Sequence, residues 1–200
     1  MFKKAIACGL AVVVLLCFLT SIVLMAEAEE LSDKMIRLHV IANSDSEEDQ
    51  ALKLAVRDAV LSYVTDKLES ADDREEARAV LEENLDEIAA LAEEVISEYG
   101  YTYEAAAEIG MEEYPTREYD TFSLPAGRYL SLRLTLGEGK GRNWWCVVFP
   151  PVCLSSASRE ELAVMDFTSS EIDLMTAENT GYVLRFRLVE LLGELKNKLS

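Results

Sequence analysis

The chain has 200 residues, half of them hydrophobic, and its 37 acidic side chains outnumber its 19 basic ones, for a formal net charge of −18. This length suits one medium domain. The negative charge argues against binding to nucleic acid and against adsorption to anionic lipid, because both carry charge of the same sign. An acidic surface instead favours solubility and selection among protein partners.

Residues 1–28 have the pattern of an export segment. Two lysines precede an uncharged apolar run over residues 5–26, and Ala26-Glu27-Ala28 stands at its end. This order is typical of a signal peptide, but the run is also long enough to cross a bilayer as a helix, which takes roughly 20 residues. Cleavage after Ala28 and retention as a membrane anchor both remain open. In either case residues 29–200 are expected to fold outside the cytoplasm as a single domain.

The domain is predicted to begin with a strand and a long helix. Polar and apolar residues alternate over residues 34–42, which indicates a strand with His39 on its polar face. Ser46, with Asp49 three positions later, resembles a helix N-terminal capping box. A helix over about residues 47–69 should follow, with one apolar face.

After Gly100 the spacing of apolar residues changes from a helical period to a period of two, so strands should follow helices. Residues 129–136 and 143–149 flank a glycine-rich turn and are predicted to pair as a hairpin. The order β-α-α-β-β-β-α predicts an α+β domain, with a mostly antiparallel sheet and helices packed on one face. The other predicted elements are a helix over about 74–99, a strand over 101–109, an ordered aromatic loop over 112–128, a short helix near 158–165 and a terminal helix over about 182–198.

The glycines of the turn over residues 137–141 are spaced two apart, as in some phosphate-binding loops. Such a loop must open a helix, whereas a strand is predicted to follow here. The glycines are therefore expected to supply positive φ angles in a turn, and no nucleotide cofactor is predicted.

His39 is the only histidine in the sequence, and it limits the catalysis that the chain can offer. It could act with Asp45 or Asp49 in an extracytoplasmic hydrolase, or join them at a metal ion. One histidine forms no triad without a nucleophile close in space, and a zinc site usually needs more nitrogen or sulfur ligands. The two aspartates also flank a helix start, where the helix dipole favours carboxylates. The sequence favours a hydrogen-bonded histidine without catalytic role and no metal, with the hydrolase as the alternative.

Cys146 and Cys153 are the two cysteines of the predicted exported part. Two thiolates cannot fill a tetrahedral zinc site, and the spacing is not that of a Cys-x-x-Cys redox motif. A disulfide between them remains, since disulfides persist outside the cytoplasm. Extended, the segment would span roughly 23 Å, whereas bridged Cα atoms lie within about 7 Å. The Pro150-Pro151 step is therefore expected to reverse the chain direction.

Trp144 and Trp145 are consecutive on a predicted strand, so their rings should lie on opposite faces of the sheet. One ring can enter the core under the helices. The other is a candidate partner contact if the aromatic loop leaves it uncovered, because exposed indoles are frequent hot spots in interfaces.

Two long segments resemble a known family. IRLHVIANSDSEEDQALKLAVRDAV (36–60) and GEGKGRNWWCVVFPPVCL (137–154) are similar to the two signature blocks of the stage II sporulation protein R family. The N-terminal export segment and the C-terminal RFRLVE (185–190) agree with that resemblance.

The resemblance implies a signal and not an enzyme. Members of this family are made in the forespore of endospore-forming bacteria and exported into the space between forespore and mother cell. There they trigger a membrane-embedded aspartic protease, which removes the pro-sequence of an early mother-cell sigma factor. The implied partner is this protease, and the candidate contacts are His39, Asn43, Asp45, Trp144 and Trp145. Membrane attachment would occur only through residues 5–26, if they are retained.

Overall fold

The computed structural model of the chain describes residues 15, 19, 22, 26–119, 122–150 and 167–176. Within them a four-stranded mixed sheet packs against helices, which confirms the predicted α+β class. The strands are β1 (Ile36–Ile41), β2 (Ala105–Tyr114), β3 (Arg117–Glu118), β4 (Ser123–Leu124), β5 (Gly127–Leu136) and β6 (Asn143–Phe149). The helices are α1 (Glu47–Leu68), α2 (Arg74–Glu83), α3 (Leu85–Glu98) and α4 (Ser169–Thr176), and residues 26–33 are also helical.

The sheet order is β2-β5-β1-β6. β1 runs parallel to β5 and antiparallel to β6, while β2 runs antiparallel to β5. The predicted hairpin between β5 and β6 is therefore wrong, because β1 lies between them. The apolar side chains of β1, such as Leu38, are fully buried, and a central position satisfies the backbone of this strand on both sides. The glycine turn carries the chain past the end of β1.

The helices between β1 and β2 follow the predicted pattern with one break. α1 begins at the expected cap, with the Ser46 hydroxyl accepting a hydrogen bond from the Asp49 N–H at 3.1 Å. The other half of the predicted capping box is not formed, because the Ser46 N–H donates to the Ser44 hydroxyl and not to the Asp49 carboxylate. The single helix predicted over 74–99 is wrong, because the chain leaves helical geometry at Asn84 (φ −107°, ψ 10°). The Asn84 amide donates to the Val80 carbonyl oxygen at 2.7 Å, and this local bond competes with the helix backbone. Tyr63 on α1 donates to the Asn84 side-chain oxygen at 2.9 Å and helps to hold the break.

β2 lies further along the chain than its predicted range of 101–109. It begins at Ala105 and continues to Tyr114, which pairs with Gly127 at the start of β5. The region predicted as an aromatic loop, 112–128, thus contains the end of β2 and a small ribbon of β3 and β4. The prediction failed here because the strand is extended by its pairing with β5 and not by local preference.

Two cores lie on opposite faces of the sheet. The helix-side core packs α1, α2 and α3 onto one face, as predicted. The second core packs residues 26–33 and α4 onto part of the other face, so helices lie on both sides. The helix-side core includes Leu38, Val40, Leu52, Val56, Ile88, Leu132 and Leu134, and the second core includes Leu31, Met35, Tyr114, Tyr129, Val147, Phe167 and Ile172.

Several predicted features fall outside the described residues. They are most of the export segment 1–28, the helices expected near 158–165 and over 182–198, and Cys153. In the part of the chain that is described, no helix combines the length and apolar character needed to cross a bilayer.

Candidate functional site

The two segments that carry the family resemblance are neighbours in the fold. β1 pairs along its length with β6, so that His39 lies opposite Trp145 and Ile41 opposite Asn143. The glycine turn continues this contact beyond the strands, with the Gly141 N–H donating to the Ala42 carbonyl oxygen at 2.9 Å. The two segments that resemble the family therefore form one continuous region, at the end of the sheet where β1 ends and β6 begins.

The hydrogen bonds of the loop between β1 and α1 converge on Asp49. Asp49 and its partners Asn43, Ser44 and Tyr103 are called the loop hub below. Asp49 is 5% exposed. Its carboxylate accepts hydrogen bonds from the Ser44 hydroxyl at 2.5 Å, the Asn43 amide at 2.9 Å and the Tyr103 hydroxyl at 2.9 Å. Burial alone would raise the pKa of Asp49, but these hydrogen bonds outweigh it and hold that pKa below its ordinary value. The arrangement leaves the carboxylate ionised and fixes the loop against the chain before β2.

Asn43 connects this hub to the glycine turn. Its side-chain oxygen accepts a hydrogen bond from the Glu138 N–H at 2.9 Å, while its amide donates to Asp49. Gly137 has a φ of +55°, and a Cβ at that position would collide with the Asn43 side chain. Only glycine fits both the backbone conformation and the close approach.

Asp45 and Lys53 fix the end of the glycine turn by hydrogen bonds to the backbone of Arg142. The Asp45 carboxylate is largely exposed and accepts a hydrogen bond from the Arg142 N–H at 2.7 Å. The Lys53 ammonium is buried and donates to the Arg142 carbonyl oxygen at 3.0 Å. Burial and the nearby Arg142 charge lower the pKa of Lys53. The sequence analysis did not single out Lys53, because a lysine in an amphipathic helix is usually exposed to solvent.

His39 pairs with a carboxylate that the sequence analysis did not identify. Its Nδ1 lies 3.2 Å from a carboxylate oxygen of Glu112 on β2, and within the described residues its buried Nε2 has no hydrogen-bond partner. Burial would raise the pKa of Glu112, but the hydrogen bond with His39 contributes to lowering it overall. Among the described residues, Asp45 and Asp49 make their contacts at Arg142 and at the loop hub, and neither is brought to His39. The structure thus does not assemble the histidine–aspartate set of the hydrolase alternative.

The two tryptophans lie on opposite faces of the sheet, as predicted. Trp144 packs against the helix-side core, with the Arg57 guanidinium 4.7 Å from its ring centre. Trp145 packs against the second core, with the Arg117 guanidinium 3.8 Å from its ring centre. Both indoles are half-buried, and each carries a cation on one ring face.

Arg37 is a charged residue of the second face, and it is fully buried. Its Nε donates to the Cys146 carbonyl oxygen at 3.1 Å and its Nη2 to the Tyr119 hydroxyl at 2.7 Å. Its guanidinium also lies 4.1 Å from the centre of the Tyr114 ring. The alternation of β1 predicted the face on which Arg37 lies, but not that the ribbon and Tyr114 would cover it.

Cys146 lies on β6 and is disulfide-bonded. Its partner lies outside the described residues, so the pairing with Cys153 stays a prediction. In the described part of the chain, no three histidine, cysteine, aspartate or glutamate side chains are grouped so that they could hold a metal ion.

Comparison with known proteins gives a consistent result. The family model described as stage II sporulation protein R matches residues 32–159. A curated protein of Bacillus subtilis (strain 168), named stage II sporulation protein R, is 40% identical over 185 residues, which cover 82% of this chain and 83% of that protein. No solved structure matches the chain.

Proposed function

Since the chain belongs to the stage II sporulation protein R family, we propose that it is an exported signal that activates a membrane-embedded aspartic protease. The activated protease would then process an inactive pro-sigma factor in the mother cell. The family match supports a sporulation role, and the activation step comes from what the resemblance implies. The uncharged run after two N-terminal lysines supports export into the space between forespore and mother cell.

The position of Trp145 supports a proposal for which surface of the protein contacts the protease. The two family blocks meet along β1 and β6 and at the glycine turn, and they place the half-buried indole of Trp145 beside His39. Trp145 shares its face with His39, and the loop bearing Asn43 and Asp45 adjoins the end of that face. Trp144 packs against the helix-side core beside Arg57, away from His39, whereas Trp145 lies beside that candidate contact. Trp145 is therefore the better candidate for the partner contact.

Binding at this surface can activate the protease only if the contact differs between its two states. A ligand shifts a conformational equilibrium by its difference in affinity for the two forms, and not by its total affinity. We propose that the surface around Trp145 binds the active, dimeric form of the protease more tightly than the inactive form. The protein itself would undergo no chemical change.

The test is coexpression of the protein, the protease and the pro-sigma factor in a non-sporulating host, with processing followed by immunoblot. Trp145→Ala should reduce processing about tenfold or more, as expected for loss of a central indole from an interface. Trp144→Ala is the matched control and should retain most of the processing. Thermal unfolding of each purified variant separates loss of contact from loss of fold. Wild-type processing by a folded Trp145→Ala protein would contradict the proposed surface.

A further inference from the structure

β2 is an edge strand of the sheet. It is ten residues long and pairs with β5 without a register shift, and within the described residues β5 is its only neighbour in the sheet. Side chains along it are well exposed on both faces, including Glu108, Met111 and Glu113, and the space beside Gly110 is open. The strand therefore presents a long and accessible border.

The backbone groups that point off this border can be identified. The Gly137 N–H donates to the Glu104 carbonyl oxygen at 2.8 Å, which makes these two residues a hydrogen-bonded pair. Hydrogen-bonded and non-hydrogen-bonded pairs alternate in an antiparallel ladder, so the N–H of Ala105 must point away from β5. It does so, donating to the Glu93 carboxylate at 3.1 Å. By the same alternation, outward N–H and carbonyl groups belong to Ala107, Ile109, Met111 and Glu113.

This edge lacks most of the features that usually prevent strand addition. Folded proteins protect edges with short strands, charged side chains (above all lysine), proline or bulges, and of these β2 has only its glutamates. β2 is long and contains no lysine, arginine or proline, and its pairing is regular. The other edge, β6, is shorter, its pairing with β1 shifts register at Ile36, and a proline follows it. β2 is thus the edge on which another strand can form.

The charge of β2 selects what can pair with it. The strand carries Glu108, Glu112 and Glu113 and no basic residue, and Glu104 precedes it. Arg133 on β5 forms ion pairs with Glu108 and Glu112, so the negative charge that this edge offers to a partner comes mainly from Glu104 and Glu113. Pairing with a second copy of β2 would place glutamates of both copies close together, and like charges across a strand pair are destabilising. An extended segment with lysine or arginine would instead gain both ladder hydrogen bonds and charge pairing.

We propose that β2 binds an extended, basic segment of the partner protein as a fifth strand of the sheet, in the manner of β-strand addition. The identity of the partner as the membrane-embedded protease rests on the proposed function above. The exposed Met111 would supply an apolar contact, and the outward backbone groups of Ala107, Ile109, Met111 and Glu113 would supply the ladder.

Met111→Pro tests the ladder, because it removes one outward N–H and leaves the bonds between β2 and β5 intact. Met111→Ala is the matched control, since it removes the same side chain but keeps the N–H. Binding of each full-length protein to the extracytoplasmic region of the protease is measured by titration. Met111→Pro should bind roughly fivefold to tenfold more weakly than Met111→Ala. Equal binding by two folded variants would overturn the proposal.

A second pair of variants tests the charge and does not depend on tolerance of proline. Glu113→Lys and Glu69→Lys change the net charge equally, and both residues are exposed. Glu113→Lys should weaken binding severalfold more than Glu69→Lys, and added salt should reduce the difference. Equal binding by these two variants would also overturn the proposal.

The coexpression assay separates the two levels of inference. Failure of the wild-type protein to stimulate processing would remove the proposed function. Normal wild-type stimulation, together with equal effects of Met111→Pro and Met111→Ala, would remove only the edge-binding proposal.

Discussion

Asp49 shows how a single side chain holds distant parts of this domain together. Its carboxylate receives three side-chain hydrogen bonds, one of them from Tyr103, which lies 54 positions further along the chain. Asp49→Asn keeps the shape of the side chain but replaces one carboxylate oxygen by an NH2 group. This NH2 group would then face hydroxyl and amide groups that are themselves donors, so hydrogen bonds are lost. We expect the variant to lose about 2 kcal/mol or more of unfolding free energy in denaturant titrations. Glu48→Gln, an exposed neighbour on the same helix turn, is the control and should stay within about 0.5 kcal/mol of wild type.

The ionisation of Asp49 should make the difference in unfolding free energy between wild type and Asp49→Asn depend on pH. The pKa of Asp49 in the folded protein lies below its ordinary value of 3.8. The stabilisation is therefore complete above the ordinary pKa and is lost as the pH falls through the lower pKa of the folded state. The free-energy difference between wild type and Asp49→Asn should be constant between about pH 7 and 5 and shrink below about pH 4. A difference that grew in acid would contradict this assignment.

Sequence patterns located these side chains better than they predicted their contacts. Ser46 as a helix cap and the face of His39 followed from local rules, and both are confirmed. The contacts of His39 with Glu112 and of Asp49 with Tyr103 could not be predicted, because each joins segments more than 50 residues apart. Local periodicity carries no information about which strand becomes a neighbour.

At the scale of elements, the glycine turn between β5 and β6 packs closely against the loop that follows β1. A Cβ at Gly141 would collide with the carbonyl group of Ser44, a backbone atom that cannot move aside without shifting the loop. Gly141→Ala should therefore cost about 1–3 kcal/mol of unfolding free energy. Gly110→Ala, where a Cβ meets nothing within 4 Å, should stay within about 0.5 kcal/mol of wild type or stabilise slightly. Thermal unfolding of both variants makes the comparison, and equal losses would contradict the close packing of the turn.

Local sequence rules predicted the bounds of most helices and strands but not how the strands pair. Alternation predicted β1, β5 and β6 close to their observed bounds, and helical periodicity predicted α1 and the combined span of α2 and α3. The pairing of β5 with β6 was predicted wrongly because a glycine-rich turn between two strands usually signals a hairpin. Here β1, from the start of the domain, occupies the place between them. Insertion of such a strand depends on the burial of its apolar residues, which short-range rules do not take into account.

At the scale of the whole molecule, the sheet is buried on two sides, and the second core reaches back to the N-terminal helical residues. Leu31 and Met35 are fully buried in that core, only a few positions after the predicted cleavage point at Ala28. If the export segment is retained as an anchor, the helical residues 26–33 follow directly after it and lead into the folded domain. If it is cleaved after Ala28, the cut leaves the core side chains in place.

The folded domain should therefore depend on Leu31 as on any other core residue, although this residue lies beside an export segment. Leu31→Ala should lower the unfolding free energy by about 2–4 kcal/mol, because it leaves a cavity in the second core. Leu54→Ala on α1 makes the same chemical change at a side chain that is 39% exposed, and it should cost less than about 1 kcal/mol. Denaturant unfolding of both variants, each in a chain beginning at residue 29, gives the comparison. Equal small losses would show that the domain begins after Leu31 and that the second core does not include the N-terminal residues.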